Sequence, residues 1–80
     1  MPSPPTTIDL RLFATLADRS PENADRYPIA PGTPIEALLS QLRIPLAEAK
    51  LIFINGIKAD LHTRLIGGER VGIFPPVGGG

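Results

Sequence analysis

Ile8, Leu10 and Leu12 alternate with Asp9 and Arg11, which predicts a half-buried strand near the start of the chain. Phe13-Ala14-Thr15-Leu16-Ala17 has room for a helical turn or two, closed by Pro21-Glu22-Asn23, and the polar residues 18–25 read as loop. Tyr27-Pro28-Ile29 predicts a short strand whose proline, unable to donate to a ladder, places it at a sheet edge. The pattern then changes period. Ile35, Leu38, Leu39 and Leu42 fall at helical spacing and form one apolar stripe. Thr33, Pro34 and Glu36 before and within that stripe predict a capping box, with the Thr33 hydroxyl on the Glu36 amide. Pro45 limits continuation, with one more turn available at Leu46-Ala47-Glu48.

The apolar run Leu51-Ile52-Phe53-Ile54 has the length of a buried strand, and Asn55-Gly56 is the preferred pair for a type I′ hairpin turn. Ile57-Lys58-Ala59 is therefore expected to return antiparallel. Residues 60–66 connect onward, with Leu61 and Leu65 plugging the core edge, and Gly67-Gly68 makes a second turn. Arg70-Val71-Gly72-Ile73-Phe74 predicts the last strand, ended by Pro75-Pro76. Together these elements predict an α+β fold: a mixed sheet of four to five strands with one main helix packed on one face. Residues 1–6 are expected to be a loosely ordered lead-in, 7–76 a single domain, and 77–80 a flexible tail.

Composition narrows the chemistry. Eight basic and eight acidic side chains cancel, so the basic excess of a nucleic-acid binder is missing. The absence of cysteine removes disulfides, thiolate catalysis and Cys-ligated metal sites. His62 is the one histidine, in a connector, and has no second histidine for a metal. No catalytic residues, bound cofactor or metal are expected. Asp18, Glu22 and Asp25 read as a solvated charge cluster. Lys58, Asp60, Arg64, Glu69 and Arg70 flank turns; they read as soluble surface with weak ion pairs or, more sharply, as a rim that orients a partner. The N-terminus lacks a basic patch before an apolar core, and no run is long enough to span a bilayer. A cytoplasmic protein without a membrane partner is the expectation.

The C-terminus carries the sharpest signal. Gly78-Gly79-Gly80 follows Phe74-Pro75-Pro76-Val77. The prolines favour an extended base, and Val77 to Gly80 reach on the order of 13 Å beyond it when fully stretched. Glycine threads narrow channels and leaves a terminal carbonyl open to attack. A carboxylate at neutral pH is a poor electrophile, and the chain has no group to activate it, so chemistry there implies an external ATP-using enzyme.

Leu51-Ile52-Phe53-Ile54-Asn55-Gly56 and the stretch from Leu65 to Gly80, ending Phe74-Pro75-Pro76-Val77-Gly78-Gly79-Gly80, resemble the MoaD/ThiS family of sulfur carriers, with the Phe-Pro-Pro segment favouring its molybdopterin-synthase small-subunit branch. Leu10 to Leu16 and Thr33 to Leu39 are similar to that family's opening strand and central helix. Gly78 departs from it, standing where the family more often has a small residue with a side chain. The resemblance implies a β-grasp (ubiquitin-like) fold with first and last strands parallel at the sheet centre. It implies that Gly80 is adenylated by an activating enzyme with ATP and converted, from a persulfide sulfur donor, to a thiocarboxylate. Val77, Gly78 and Gly79 would enter the partner, a molybdopterin-synthase-type large subunit or another sulfur acceptor, while Phe74, Pro75 and Pro76 dock against it. Thiamin, tungsten-cofactor and other thiolation routes share this chemistry, as does a ubiquitin-like modifier forming isopeptide bonds. A pure interaction module with a soft glycine end is the third reading.

Overall fold

The computed structural model describes residues 5–76; the C-terminal residues Val77, Gly78, Gly79 and Gly80 lie outside the described residues. Seven strands and one α-helix follow in order: β1 (Thr6–Leu12), β2 (Tyr27–Ile29), β3 (Thr33–Pro34), α1 (Ile35–Gln41), β4 (Leu51–Ile54), β5 (Ile57–Ala59), β6 (Arg64–Leu65) and β7 (Arg70–Phe74). Short 3-10 turns at Ala14–Arg19, Ala24–Arg26 and Leu46–Glu48 join them. The first two take up much of the segment whose polarity reads as loop.

Five strands form one mixed sheet in the order β2-β1-β7-β4-β5. β1 and β7 pair in parallel, Asp9 opposite Arg70 and Leu12 opposite Ile73, and the other pairs are antiparallel. The proline-bearing β2 sits at an edge, as its missing donor requires. β3 and β6 pair separately as a two-residue ladder, Thr33 opposite Leu65. With α1 laid on one face of the sheet, this is the β-grasp arrangement.

Strand alternation sends Ile8, Leu10 and Leu12 of β1, Ile52 of β4, and Val71 and Ile73 of β7 to one side. There they meet Ile35, Leu38 and Leu39 of α1, with Leu16, Ile29, Ile44, Ala49 and Leu65 completing the buried cluster. No buried side-chain nitrogen or oxygen lacks a partner among the described residues. The Asn55-Gly56 turn has left-handed angles at both positions, φ 54° and 81°, as a type I′ hairpin needs.

The start of α1 departs from the sequence expectation. No capping box forms: Pro34 is the N-cap residue, and Thr33 belongs to β3, its hydroxyl donating to the Ala30 carbonyl at 2.5 Å. The connector supplies the caps instead. The amides of Ile35 and Glu36 donate to the carbonyls of Thr63 and Leu61, each at 3.0 Å, so the helix has no need of the Thr33 side chain there. The far end also closes by backbone. Arg43 turns to φ 59°, its amide donates to the Ser40 carbonyl, and the Ile44 amide donates to that of Leu39, ending the helix before Pro45 acts.

Arginine at a left-handed position is strained, whereas glycine is not. Arg43→Gly is therefore expected to raise stability, the relief of strain exceeding the added entropy of the unfolded chain by about 0.5 kcal/mol. Urea unfolding checks this through a higher midpoint at unchanged slope.

Candidate functional site

The open face of the sheet, opposite α1, holds all three phenylalanines. Phe53 of β4 stands opposite Gly72 of β7, and Gly72 in turn stands beside Arg11 of β1. Phe13 leaves the end of β1, where its amide donates to the Ile73 carbonyl at 3.2 Å and extends the parallel ladder by one bond. Ala14 then takes φ 53°, turning the chain away. The Phe13 ring lies flat against that of Phe74, centroids 4.2 Å apart and planes parallel. Phe53 meets Phe74 edge-on at 5.8 Å.

Glycine at 72 is what lets the stack sit down. A Cβ there would stand 3.3 Å from the Phe13 ring and 3.8 Å from that of Phe74, tight for the first and ordinary for the second. Gly72 is itself buried under these rings although it belongs to the open face. Phe13 remains 38% exposed. The result is a shallow aromatic floor at the base of the C-terminal segment.

Phe74 is the last residue tied into the sheet. Its carbonyl accepts the Lys50 amide at 2.9 Å. Pro75 and Pro76 follow, half-buried and exposed respectively, and offer no N–H to carry the ladder further. Phe74 is thus held by two aromatic neighbours and by its pairing with β4 at the point where the chain departs. The tail residues expected to carry the chemistry, Val77, Gly78, Gly79 and Gly80, lie outside the described residues.

The charged residues flanking the turns divide into two sets. The Asp60 carboxylate accepts the His62 amide at 2.8 Å and the Thr63 hydroxyl at 3.3 Å. Arg64 donates to the Gly32 carbonyl at 2.9 Å. The Glu69 carboxylate accepts the amides of Ile66 and Gly67 at 2.8 and 2.7 Å. These three shape turns. Arg70 and Lys58 instead lie on the open face, Lys58 opposite Phe53. His62 is exposed, with Nδ1 3.9 Å from the Glu36 carboxylate. Asp18, Glu22 and Asp25 are all exposed. Among the described residues no group of acidic, histidine or cysteine side chains is arranged to hold a metal, and no helix is long and apolar enough to cross a membrane.

Sequence reasoning singled out Phe74 and the prolines and did not join Phe13, Phe53, Gly72 and Arg11 to them as a common surface. The available signal was the alternation itself: Arg11, Phe53 and Gly72 are the off-core positions of their strands. The register that brings them together was not available without the parallel pairing.

Comparison with known proteins agrees with this geometry. The family model described as the ThiS family matches residues 10–80, a span that includes the glycine ending. No curated protein sequence matches. Among solved structures, SAMP1 from Haloferax volcanii superposes with a TM-score of 0.67 at 22% identity, covering 92% of this chain and 99% of that one. The Haloferax volcanii HVO 2177 protein gives 0.70 at 23% identity, over 95% and 88%. A chain described as molybdopterin converting factor, subunit 1, from Pyrococcus furiosus gives 0.63 at 19% identity, over 90% and 99%. At these identities the structural likenesses establish the fold, and the family match goes further: with nearly the whole chain inside it, this protein belongs to the ThiS family, the MoaD/ThiS group of small ubiquitin-like carriers.

Proposed function

We propose that the protein is a sulfur carrier whose C-terminal Gly80 is charged as a thiocarboxylate and donates its sulfur in cofactor biosynthesis, molybdopterin synthesis being the favoured route. One observation carries this reading: the family match runs through Phe74-Pro75-Pro76-Val77-Gly78-Gly79-Gly80, so the reactive ending is part of what is matched. The likeness to a molybdopterin converting factor subunit supports the choice of route.

In this reading the chain is a co-substrate with no catalytic residues of its own. A Gly80 carboxylate oxygen attacks the α-phosphorus of ATP held by the activating enzyme, and pyrophosphate leaves. The terminal sulfur of a persulfide donor then attacks the acyl carbon and expels AMP. A thiol cleaves the resulting acyl disulfide, supplying the two electrons that leave a thiocarboxylate on Gly80. What this chain contributes is presentation. Phe74 anchors the tail, Pro75 and Pro76 keep it from zipping onto the sheet, and Val77, Gly78 and Gly79 pass through a narrow entry to the acceptor's site. The partners are the activating enzyme and a molybdopterin-synthase-type large subunit, in a cytoplasmic setting.

Intact-mass measurement tests the proposal. The full chain, incubated with its activating enzyme, ATP and a persulfide donor, is expected to gain the mass difference between sulfur and oxygen, and only when ATP is present. An unchanged mass with the competent enzyme overturns the carrier reading. Isopeptide-linked lysine conjugates in place of the mass gain assign a protein modifier instead.

A further inference from the structure

Two segments far apart in sequence support the end of β7. On one side the Phe13 ring stacks on Phe74 and the Phe13 amide donates to the Ile73 carbonyl; the chain then runs directly into the turn Ala14–Arg19. On the other side the Lys50 amide donates to the Phe74 carbonyl at 2.9 Å, at the end of a segment that leads from the close of α1 at Arg43 through the turn Leu46–Glu48. The backbone of that second segment bonds mainly to itself and to α1: Arg43 donates to Ser40, Ile44 to Leu39, Glu48 to Pro45 and Ala49 to Leu46. Arg19 joins the two segments. Its Nη1 donates to the Arg43 carbonyl at 2.6 Å, and its Nη2 lies 3.8 Å from the Glu48 carboxylate. Among the described residues no other side-chain hydrogen bond links residues 13–20 to residues 43–50.

We propose that Arg19 is a positioning residue for the C-terminal tail: by tying the two segments together it fixes the direction in which the chain leaves Phe74. The bond to the Arg43 carbonyl carries the effect. It is charge-assisted, and its acceptor lies just past the end of α1, where the helix dipole favours a cation. The contact with Glu48 is long, both side chains are about two-fifths exposed, and such surface pairs contribute little. The fold itself does not depend on Arg19, because Leu16 and Ile44 are buried on either side of it in the common core. The tail is more sensitive. Each segment carries one contact on the end of β7, so a slip between them tilts Phe74 or breaks one of its supports. Six residues beyond Phe74 span roughly 20 Å when stretched, and a tilt of about 5° displaces the end of such a chain by about 2 Å. A displacement of that size is enough to slow a reaction that requires exact placement of the reacting group. The role in sulfur transfer rests on the carrier reading; the mechanical coupling does not.

The test is native-state amide exchange, followed by NMR, on the full chain and on Arg19→Met, Arg19→Lys and Glu48→Gln. In Arg19→Met, exchange at Lys50 and Phe13 is expected to quicken about fivefold or more relative to two amides at the other end of the sheet, Asp9 on the Glu69 carbonyl and Asn55 on that of Arg70. A general loss of stability would quicken all four alike. Arg19→Lys keeps a cationic donor for the Arg43 carbonyl and should restore most of the protection, while Glu48→Gln should alter it by less than about twofold. With the activating enzyme, ATP and a persulfide donor, Arg19→Met should lower kcat for the mass gain about tenfold and leave KM for the carrier unchanged.

The proposal is overturned if exchange at Lys50 and Phe13 is the same in Arg19→Met as in the unaltered chain, if all four amides quicken together, or if Arg19→Lys recovers nothing. It is equally overturned if KM rises while kcat holds, which would make Arg19 a direct contact of the enzyme. An unaltered chain that gains no sulfur sinks the carrier reading instead, and the exchange measurements still decide whether Arg19 couples the two supports of Phe74.

Discussion

A chain lacking Gly80 is expected to unfold at the same temperature as the complete one and to gain no sulfur at all. The two halves of that expectation have separate physical origins. Stability is unaffected because the buried cluster closes at Ile73, the last ladder bond in β7 is made by the Phe74 carbonyl, and the prolines carry no donor past it. Reactivity is lost although Gly79 then ends in a carboxylate of the same kind. One residue of extended chain is about 3.5 Å, and misplacing a reacting group by even ~1 Å can cost on the order of a hundredfold in rate. Thermal unfolding followed by circular dichroism checks the first half, and intact mass after incubation with enzyme, ATP and persulfide checks the second. Retention of the mass gain would mean that the reacting carboxylate is not positioned by tail length.

The largest effect on stability is expected at Gly67. Its φ is 124°, a region that side chains rarely adopt, and a Cβ there would overlap the Thr6 Oγ1 and lie 2.5 Å from its Cγ2 and 2.8 Å from its Cβ. Thr6 is branched at its β-carbon and starts β1, paired with Ile29, so it has little freedom to give way. Backbone strain and overpacking each cost about 1–3 kcal/mol, and Gly67→Ala is expected to destabilise by about 3 kcal/mol. For a chain of this length that is a large share of the total, which is of order 0.1 kcal/mol per residue. Gly68→Ala provides the contrast. Its φ of 84° is strained but open space surrounds it, so about 1–2 kcal/mol is expected. Adding Thr6→Ala to Gly67→Ala should recover part of the loss and no more, because the β-carbon contact and the φ remain. Urea unfolding of the variants checks all of this, and equal effects at the two glycines would show that the Thr6 contact does not matter.

The elements legible in the sequence are those fixed by local patterning. Ile8, Leu10 and Leu12 declare a strand by alternation, Ile35, Leu38 and Leu39 a helix by spacing, and Asn55-Gly56 a hairpin by the angles that it permits. What was hidden depends on parts of the chain that meet only in the fold. The Thr33 capping box looked sound locally. It loses to carbonyls at Leu61 and Thr63, which arrive from nearly thirty residues downstream. The β3–β6 ladder, two residues long, is too short to leave a pattern. At the site, Phe74 was visible because proline follows it, whereas Phe13 looked like the opening of a helix. Only the parallel pairing of β1 with β7, and the left-handed turn at Ala14, bring its ring onto Phe74.

That same parallel pairing has a consequence for how the protein comes into being. Leu10 meets Val71, so β1 waits on the ribosome for β7, which is made some sixty residues later. Closing so long a loop carries a large entropic penalty, and contacts of this separation slow folding. The nascent chain therefore stays open until β7 has emerged from the exit tunnel. A chain that stops before β7 lacks the central strand of the sheet, so it is expected to stay unfolded and sensitive to proteases.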